Sequence, residues 1–126
     1  MKDKERNYWI AFSTFIPFGT KRFGLLRKYF GGAENAWKSS EKELTEIGLS
    51  PKLVSSFLAH RTKFSLENYL ENLAKSEIVT ITSEDQEYPA LLKEITDPPF
   101  ILYIKSKSVI RKTIADFFNI FSATDK

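Results

Sequence analysis

The chain has 126 residues, a net charge of +3 and a pI near 9.1, which fits one small domain or one domain and part of another. It has no cysteine and one histidine, His60, so disulfides, thiolate metal sites and multi-histidine metal clusters are excluded. No segment is long and apolar enough to cross a bilayer, and the N-terminus does not resemble a signal peptide. The composition therefore predicts a cytoplasmic protein with no cofactor, no metal and no membrane partner, while the basic balance permits an anionic partner.

The first 75 residues follow a pattern of short helices separated by turns. Aromatic residues recur at helix spacing between positions 5 and 14, and a second helix is predicted from Thr20 to Phe30, ending at Gly31 and Gly32. A short helix, AENAW, is expected to bury Trp37. Three further helices are expected to begin at capping signals: Ser40, Ser50 with Pro51, and Ser65. We predict an N-terminal helical domain over residues 1–75.

The pattern changes at residue 78. The segments IVTIT and FILYIK are strand-like, and PALLKEI between them makes about two helical turns. Because strand, helix and strand open a parallel α/β layer, the segment that follows residue 75 is predicted to begin such a layer with a β-α-β piece. A C-terminal amphipathic helix is expected on the stripe Ile110, Ile114, Phe117, Phe118 and Phe121. The predicted fold class is α+β, mainly α.

The segment FIPFGTKRF, residues 15–23, is a candidate phosphate contact. A glycine in the turn between two helices can aim the N–H groups of the second helix at a phosphate oxygen, and nearby cations add charge. The helix-hairpin-helix form usually has two glycines, and here Pro17, which lacks an N–H, stands in place of the first. A purely structural corner is the alternative. The candidate phosphate-binding residues are Gly19, Thr20, Lys21, Arg22, Arg27 and Lys28.

Other charged groups are interpreted as structural. The turn from Ile47 to Lys52 has one glycine and one cation, and the cations at residues 60–63 complement a helix dipole. A basic cluster near the C-terminus is either a solvated face or a nucleic-acid contact: Lys105, Lys107, Arg111 and Lys112. Carboxylates cluster near the turns without a catalytic partner: Asp85, Glu87, Glu94 and Asp97. With no phosphate loop or dinucleotide-binding motif, we predict that the chain is not an enzyme.

The most specific pattern extends over residues 8–105. YWIAFSTFIPFGTKRFGLLRKYFGGAENAW, then IGLSP, then ITSEDQEYPALLKEITDPPFILYIK resemble the N-terminal part of the DNA-processing protein A (DprA/Smf) family. The resemblance is sharpest at Tyr88, Pro89, Leu92, Ile95, Asp97, Pro98, Pro99, Leu102 and Tyr103, a motif with a structural role. It implies that residues 1–75 are a small helical domain of the helix-hairpin-helix or sterile-alpha-motif kind. It implies that residues 76–126 are the truncated start of an extended Rossmann-like domain. It also implies a protein that binds incoming single-stranded DNA in natural transformation and helps to load the recombinase.

Two departures from the family pattern limit what the resemblance implies. Ser106 stands where the family commonly has glycine, and residues 113–126 lack the Val-Gly-Ser/Thr-Arg segment that opens the family's main DNA-binding pocket. We therefore expect a truncated chain in which DNA binding is weak or lost. The resemblance implies single-stranded DNA as a partner, and the protein partner is either the recombinase or a second copy of the chain. The alternatives are a protein-interaction module that uses exposed aromatics such as Phe18, marked by an apolar patch without a basic face, and a degraded fragment without independent function.

Overall fold

The computed structural model describes residues 1–105, which form a mainly helical α+β protein with one two-stranded sheet. The predicted fold class is therefore confirmed. The chain divides into two compact units, of which the first is Met1–Leu66 and the second begins at Glu67. The helices are α1 (Asp3–Ser13), α2 (Thr20–Phe30), α3 (Ala33–Trp37), α4 (Glu41–Glu46), α5 (Pro51–Lys63) and α6 (Leu66–Lys75).

The helix boundaries follow local signals in the sequence. Gly31 ends α2 in the left-handed conformation, with φ of 81°, which glycine adopts without a steric penalty. Ser40 begins α4 with a complete capping box, in which its side chain and that of Glu43 each accept a hydrogen bond from the other residue's backbone N–H. Ser50 accepts a hydrogen bond from the backbone N–H of Leu53 at 3.2 Å and begins α5. These predicted starts and ends are confirmed.

The core of the first unit is a cluster of aromatic rings centred on Phe12, which is fully buried. Its ring centroid lies 5.2 Å from that of Phe23, 5.1 Å from that of Trp37 and 5.7 Å from that of Phe57. These contacts join α1, α2, α3 and α5, and such pairs stabilise a core beyond the area that they bury. The predicted burial of Trp37 is confirmed, with 7% of its surface exposed.

The corner between α1 and α2 is held by the same aromatic core. Phe15 and Phe18 are both buried and their ring centroids lie 4.8 Å apart, while Phe18 also packs 4.9 Å from Phe57. Between them Ile16 is 87% exposed, and Pro17 is also exposed. The expectation that Phe18 is an exposed aromatic is wrong, because the turn directs its ring inward, where only 2% of the residue remains exposed.

In the second unit the two strands are β1 (Ile78–Thr82) and β2 (Ile101–Lys105). They pair antiparallel, with Ile78 opposite Lys105 and Thr82 opposite Ile101, so the predicted parallel β-α-β pairing is wrong. A parallel pair needs a crossover, usually an α-helix, whereas the connection here contains only a five-residue 3₁₀ helix, Ala90–Glu94, and reverses the chain. The small core of this unit is formed by Ile81, Tyr88, Leu92 and Ile104.

Part of the prediction lies outside the described residues, namely the C-terminal helix and three cations of the C-terminal cluster, Lys107, Arg111 and Lys112. Among residues 1–105, no helix has both the length and the apolar character needed to span a bilayer. The same described part of the chain contains no group of three histidine or acidic side chains that could hold a metal ion.

Candidate functional site

The positive charge of the chain is concentrated in the helical unit. Residues 1–66 contain 12 of the 19 Lys and Arg residues but only 6 of the 16 Asp and Glu residues. Helix α2, TKRFGLLRKYF, has the largest excess of positive charge among the described helices, with four cations and no carboxylate. A concentration of one sign of charge attracts anions, so α2 is a candidate surface for an anionic ligand.

The N-terminal end of α2 holds four of the predicted site residues. Gly19 is the N-cap residue, and its φ of −75° and ψ of −176° are extended backbone that any residue adopts. A Cβ at Gly19 would meet nothing within 4 Å, so neither conformation nor space requires glycine at this position. Thr20 is half-buried, whereas Lys21 and Arg22 are exposed. The side chains that could reach a ligand here are therefore the two cations.

Arg22 extends from α2 towards the beginning of α5. Its Nη1 donates a hydrogen bond to the backbone oxygen of Pro17 at 3.2 Å, which steadies the guanidinium beside the corner. A cleft of about 310 Å³ lies next to it, lined by Pro17, Arg22, Ser50, Lys52, Leu53 and Ser56. We name it the Arg22–Lys52 cleft. It combines two exposed cations with two serine side chains, and no carboxylate lines it.

Lys52 and Ser56 were not among the predicted site residues. The turn from Ile47 to Lys52 was interpreted as structural, and Ser50 does have a structural role as the cap of α5. Lys52 lies thirty positions after Arg22 in the sequence, so only the folded helical unit brings the two cations to one cleft. The sequence signal for Lys52 was the Ser-Pro-Lys start of α5, which places a cation in the first turn of this helix, as Lys21 and Arg22 are in the first turn of α2.

Arg27 and Lys28 lie further along α2 and have different surroundings. The guanidinium carbon of Arg27 lies 4.2 Å from the ring centroid of Trp9 and 5.4 Å from that of Phe23, so Arg27 packs on aromatic faces and is half-buried. Lys28 is exposed. Both line a second cleft, of about 470 Å³, which also contains the side chain of Glu5.

The carboxylate in this second cleft belongs to the architecture of the helical unit. One oxygen of Glu5 accepts a hydrogen bond from the backbone N–H of Ala33 at 2.6 Å, and the other accepts one from that of Glu34 at 3.2 Å. Glu5 thus caps α3 from α1. A fixed negative charge next to Arg27 and Lys28 makes this cleft a poorer phosphate site than the Arg22–Lys52 cleft.

The basic residues near the end of α5 are largely structural. Nε2 of His60 lies 2.9 Å from Oγ1 of Thr14, and burial lowers the pKa of His60. Nη1 of Arg61 donates hydrogen bonds to the backbone oxygens of Trp37 at 2.6 Å and Ser39 at 2.7 Å, so Arg61 fastens the chain at the end of α3. These contacts agree with the structural interpretation of the cluster.

The family-motif residues between Tyr88 and Tyr103 form most of the connection between β1 and β2. The hydroxyl of Tyr88 donates a hydrogen bond to the backbone oxygen of Pro99 at 2.6 Å, and burial raises the pKa of Tyr88. Leu92 is buried beside it, whereas Ile95 is 47% and Tyr103 is 38% exposed. The Tyr88–Pro99 bond ties the start of the motif to its Asp-Pro-Pro turn.

A carboxylate of the same unit serves a turn. Oδ2 of Asp85 accepts a hydrogen bond from the backbone N–H of Thr82, three residues earlier, at 2.7 Å, so the side chain closes the turn that follows β1. Glu87, Glu94 and Asp97 are exposed on the surface. This arrangement supplies structure at the end of β1 and gives no reason to assign catalysis to these acids.

Protein Smf of Synechocystis sp. (strain ATCC 27184 / PCC 6803 / Kazusa) is 32% identical to the chain over 104 residues, which are 82% of this chain and 26% of Smf. The chain is related to Protein Smf. It spans about a quarter of the length of this relative. This relationship supports the resemblance to the DprA/Smf family, while the predicted truncation stays a prediction. No family model matches the chain, and no solved structure matches it.

Proposed function

We propose that the helical unit binds the phosphate backbone of DNA at the Arg22–Lys52 cleft, as part of a DNA-processing role. The observation that carries the proposal is the meeting of Arg22 and Lys52 at one cleft without a lining carboxylate. The relationship to Protein Smf and the family resemblance of the sequence support DNA as the anion. The excess of cations over carboxylates in residues 1–66 is consistent with this choice.

The chemistry of the cleft fits a phosphodiester. The planar guanidinium of Arg22 can donate two parallel hydrogen bonds to phosphate oxygens, and Lys52 adds a point charge from the other wall. The hydroxyl of Ser56, which is exposed in the same cleft, can donate a further hydrogen bond. Lys21 lies next to Arg22 in the sequence and is exposed, so it extends the positive surface along α2. Contacts of this kind position a strand without reading its bases.

The finer parts of the proposed role come from the family resemblance. In this proposal the DNA is single-stranded DNA that enters the cell in natural transformation, and the chain helps to load the recombinase onto it. The recombinase and a second copy of the chain are the protein partners of that role. The chain acts by binding, without catalysis.

Fluorescence anisotropy of a labelled single-stranded oligonucleotide tests the proposal with the full chain. We expect binding at low salt that weakens in the double variant Lys21→Ala/Arg22→Ala, because both lost cations lie beside the cleft. The matched control is Lys42→Ala/Lys63→Ala, which removes the same charge from two exposed positions away from the cleft. Equal affinities for the Lys21/Arg22 variant and the control, or no binding by the unmodified chain at low salt, would reject the proposal.

The protein-interaction alternative has less support. It was expected to use Phe18, which is buried. The exposed apolar side chains of the helical unit include Leu25 and Tyr29, and these share α2 with four cations. An apolar patch without a basic face, the feature that would favour this alternative, is not found on α2.

A further inference from the structure

Two large apolar side chains are exposed on α2 among its cations. Leu25 is 51% and Tyr29 is 57% exposed. Positions 21, 25, 28 and 29 follow the spacing of one helix face, so this face presents Lys21, Leu25, Lys28 and Tyr29 together. We name these four residues the α2 face. The Arg22–Lys52 cleft does not include any of them.

The ring of Tyr29 is supported from one side. Its centroid lies 4.9 Å from that of Phe30, with the two planes at 75° in an edge-to-face arrangement. The backbone oxygen of Phe30 in turn accepts a hydrogen bond from Nδ2 of Asn35 at 3.2 Å. A ring that is already supported loses little conformational freedom when a flat group stacks on it. Tyr29 is therefore a preorganised flat apolar surface open to solvent.

The charge of the α2 face indicates what covers that ring. An apolar protein surface would bury Leu25 and Tyr29 but would also remove Lys21 and Lys28 from water, at a cost unless it supplied carboxylates. A nucleic-acid strand satisfies both groups at once, because its phosphates pair with the lysines while its bases stack on the ring. Aromatic side chains inside a positively charged track are the usual composition of single-strand binding surfaces.

We propose that Tyr29, with Leu25 beside it, is a stacking site for an unpaired nucleobase of a strand that runs along α2 from the Arg22–Lys52 cleft. The inference rests on the proposed function for its phosphate contacts and adds a contact to the base. From Lys21 to Tyr29 the helix rises about 12 Å, the length of roughly three to four stacked nucleotides. Because paired bases are stacked inside a duplex, only a strand with free bases can use this site.

The test compares two labelled strands of equal length, an oligo(dT) and an abasic deoxyribose-phosphate strand, by fluorescence anisotropy with the full chain. We expect Tyr29→Ala to weaken binding of oligo(dT) by about five-fold or more and to leave binding of the abasic strand unchanged. Tyr29→Phe, which keeps the ring, should retain the affinity of the unmodified chain. The control is Leu91→Ala, which shortens an apolar residue that is 59% exposed in the other unit and should change neither affinity.

The ring contact can also be observed directly. Trp9 and Trp37 are the two tryptophans of the chain and both are buried, so Tyr29→Trp adds one exposed indole. Its emission should be quenched by oligo(dT) and not by the abasic strand, since quenching requires a stacked base.

The outcomes separate this inference from the phosphate proposal. If Tyr29→Ala leaves oligo(dT) affinity unchanged, or weakens both strands equally, the stacking site is rejected while the cleft is judged by its own cation variants. If the unmodified chain binds neither strand, both proposals are rejected. If Tyr29→Ala abolishes a dimer seen by light scattering and leaves oligo(dT) affinity unchanged, α2 is a self-association surface and the stacking site is rejected.

Discussion

The double variant Arg22→Ala/Lys52→Ala should reduce the salt dependence of DNA binding. Both side chains are exposed on one cleft, and each phosphate that a cation neutralises releases condensed counterions. Affinity itself can change for several reasons, but the slope of its logarithm against the logarithm of salt concentration reports the number of phosphate contacts. The slope is therefore the quantity that tests the cleft.

The expected size of the effect follows from the number of cations at the site. Arg22 and Lys52 in the cleft and Lys21 and Lys28 on α2 give four phosphate contacts, and a single strand contributes about −0.7 to the slope for each. The unmodified chain should then have a slope of about −2.8 and lose roughly 50-fold in affinity between about 50 and 200 mM salt. With Lys21 and Lys28 left, the slope should be about −1.4 and the loss about seven-fold.

The assay is anisotropy of a labelled oligo(dT) at several salt concentrations between these limits. Lys42→Ala/Lys63→Ala serves again as the control for net charge, and it should keep the slope of the unmodified chain. Circular dichroism should give the same helical signal for all three proteins, because the substituted side chains are exposed. A slope for Arg22→Ala/Lys52→Ala equal to that of the control would refute the assignment of phosphate contacts to the cleft.

Two further predictions concern polar side chains, of which Tyr88 is buried and His60 is half-buried. Tyr88→Phe removes the hydrogen bond to the backbone oxygen of Pro99, which should cost about 0.5–1.5 kcal/mol and speed amide hydrogen exchange in β1 and β2 by about two- to twelve-fold; unchanged exchange would contradict it. Burial lowers the pKa of His60 below its usual 6.5, so this side chain binds a proton more readily in the unfolded chain than in the folded one. The neutral, folded form of His60 therefore contributes its full share of stability above about pH 6.5, and this share is lost as the pH falls below that value. The free energy of unfolding, measured with urea and tryptophan emission, should therefore fall between about pH 7.5 and 5.5 in the unmodified chain and fall less in His60→Gln. Parallel pH profiles for the two proteins would count against this.

The helices of the first unit were predictable because their boundaries are encoded locally. The bounds of α2 and α3 match the prediction, and the starts of α4 and α5 were given by Ser40 and by Ser50 with Pro51. Capping side chains and glycine act within one turn of the chain, so a single sequence is enough to find them. The short helix AENAW likewise predicted the burial of Trp37, which is 7% exposed.

The predictions that were wrong concern features that depend on contacts between segments distant in the sequence. The pattern of IVTIT and FILYIK predicts strands but not their direction, and the antiparallel pairing results from a connection that reverses the chain without an α-helix. Phe18 follows a proline in a turn, where local sequence favours exposure, yet its ring contacts Phe57, which is 39 positions further along the chain.

The candidate site was only half predictable for the same reason. Lys21 and Arg22 could be named from the turn that precedes them, whereas Lys52 joins them only through the packing of α5 against the rest of the helical unit. Arg27 looked equivalent to its neighbour Lys28 in the sequence. Its position over the ring of Trp9 depends on the packing of α2 against α1, which no local pattern encodes.

The most direct test of the phosphate site is a map of the residues that a strand contacts. Backbone amide chemical shifts of the ¹⁵N-labelled chain, titrated with a short oligo(dT) at low salt, report each position separately. The largest shifts should fall at residues 19–22 and 50–56, which border the Arg22–Lys52 cleft. Shifts confined to the second unit, or to the Glu5-containing cleft, would contradict it.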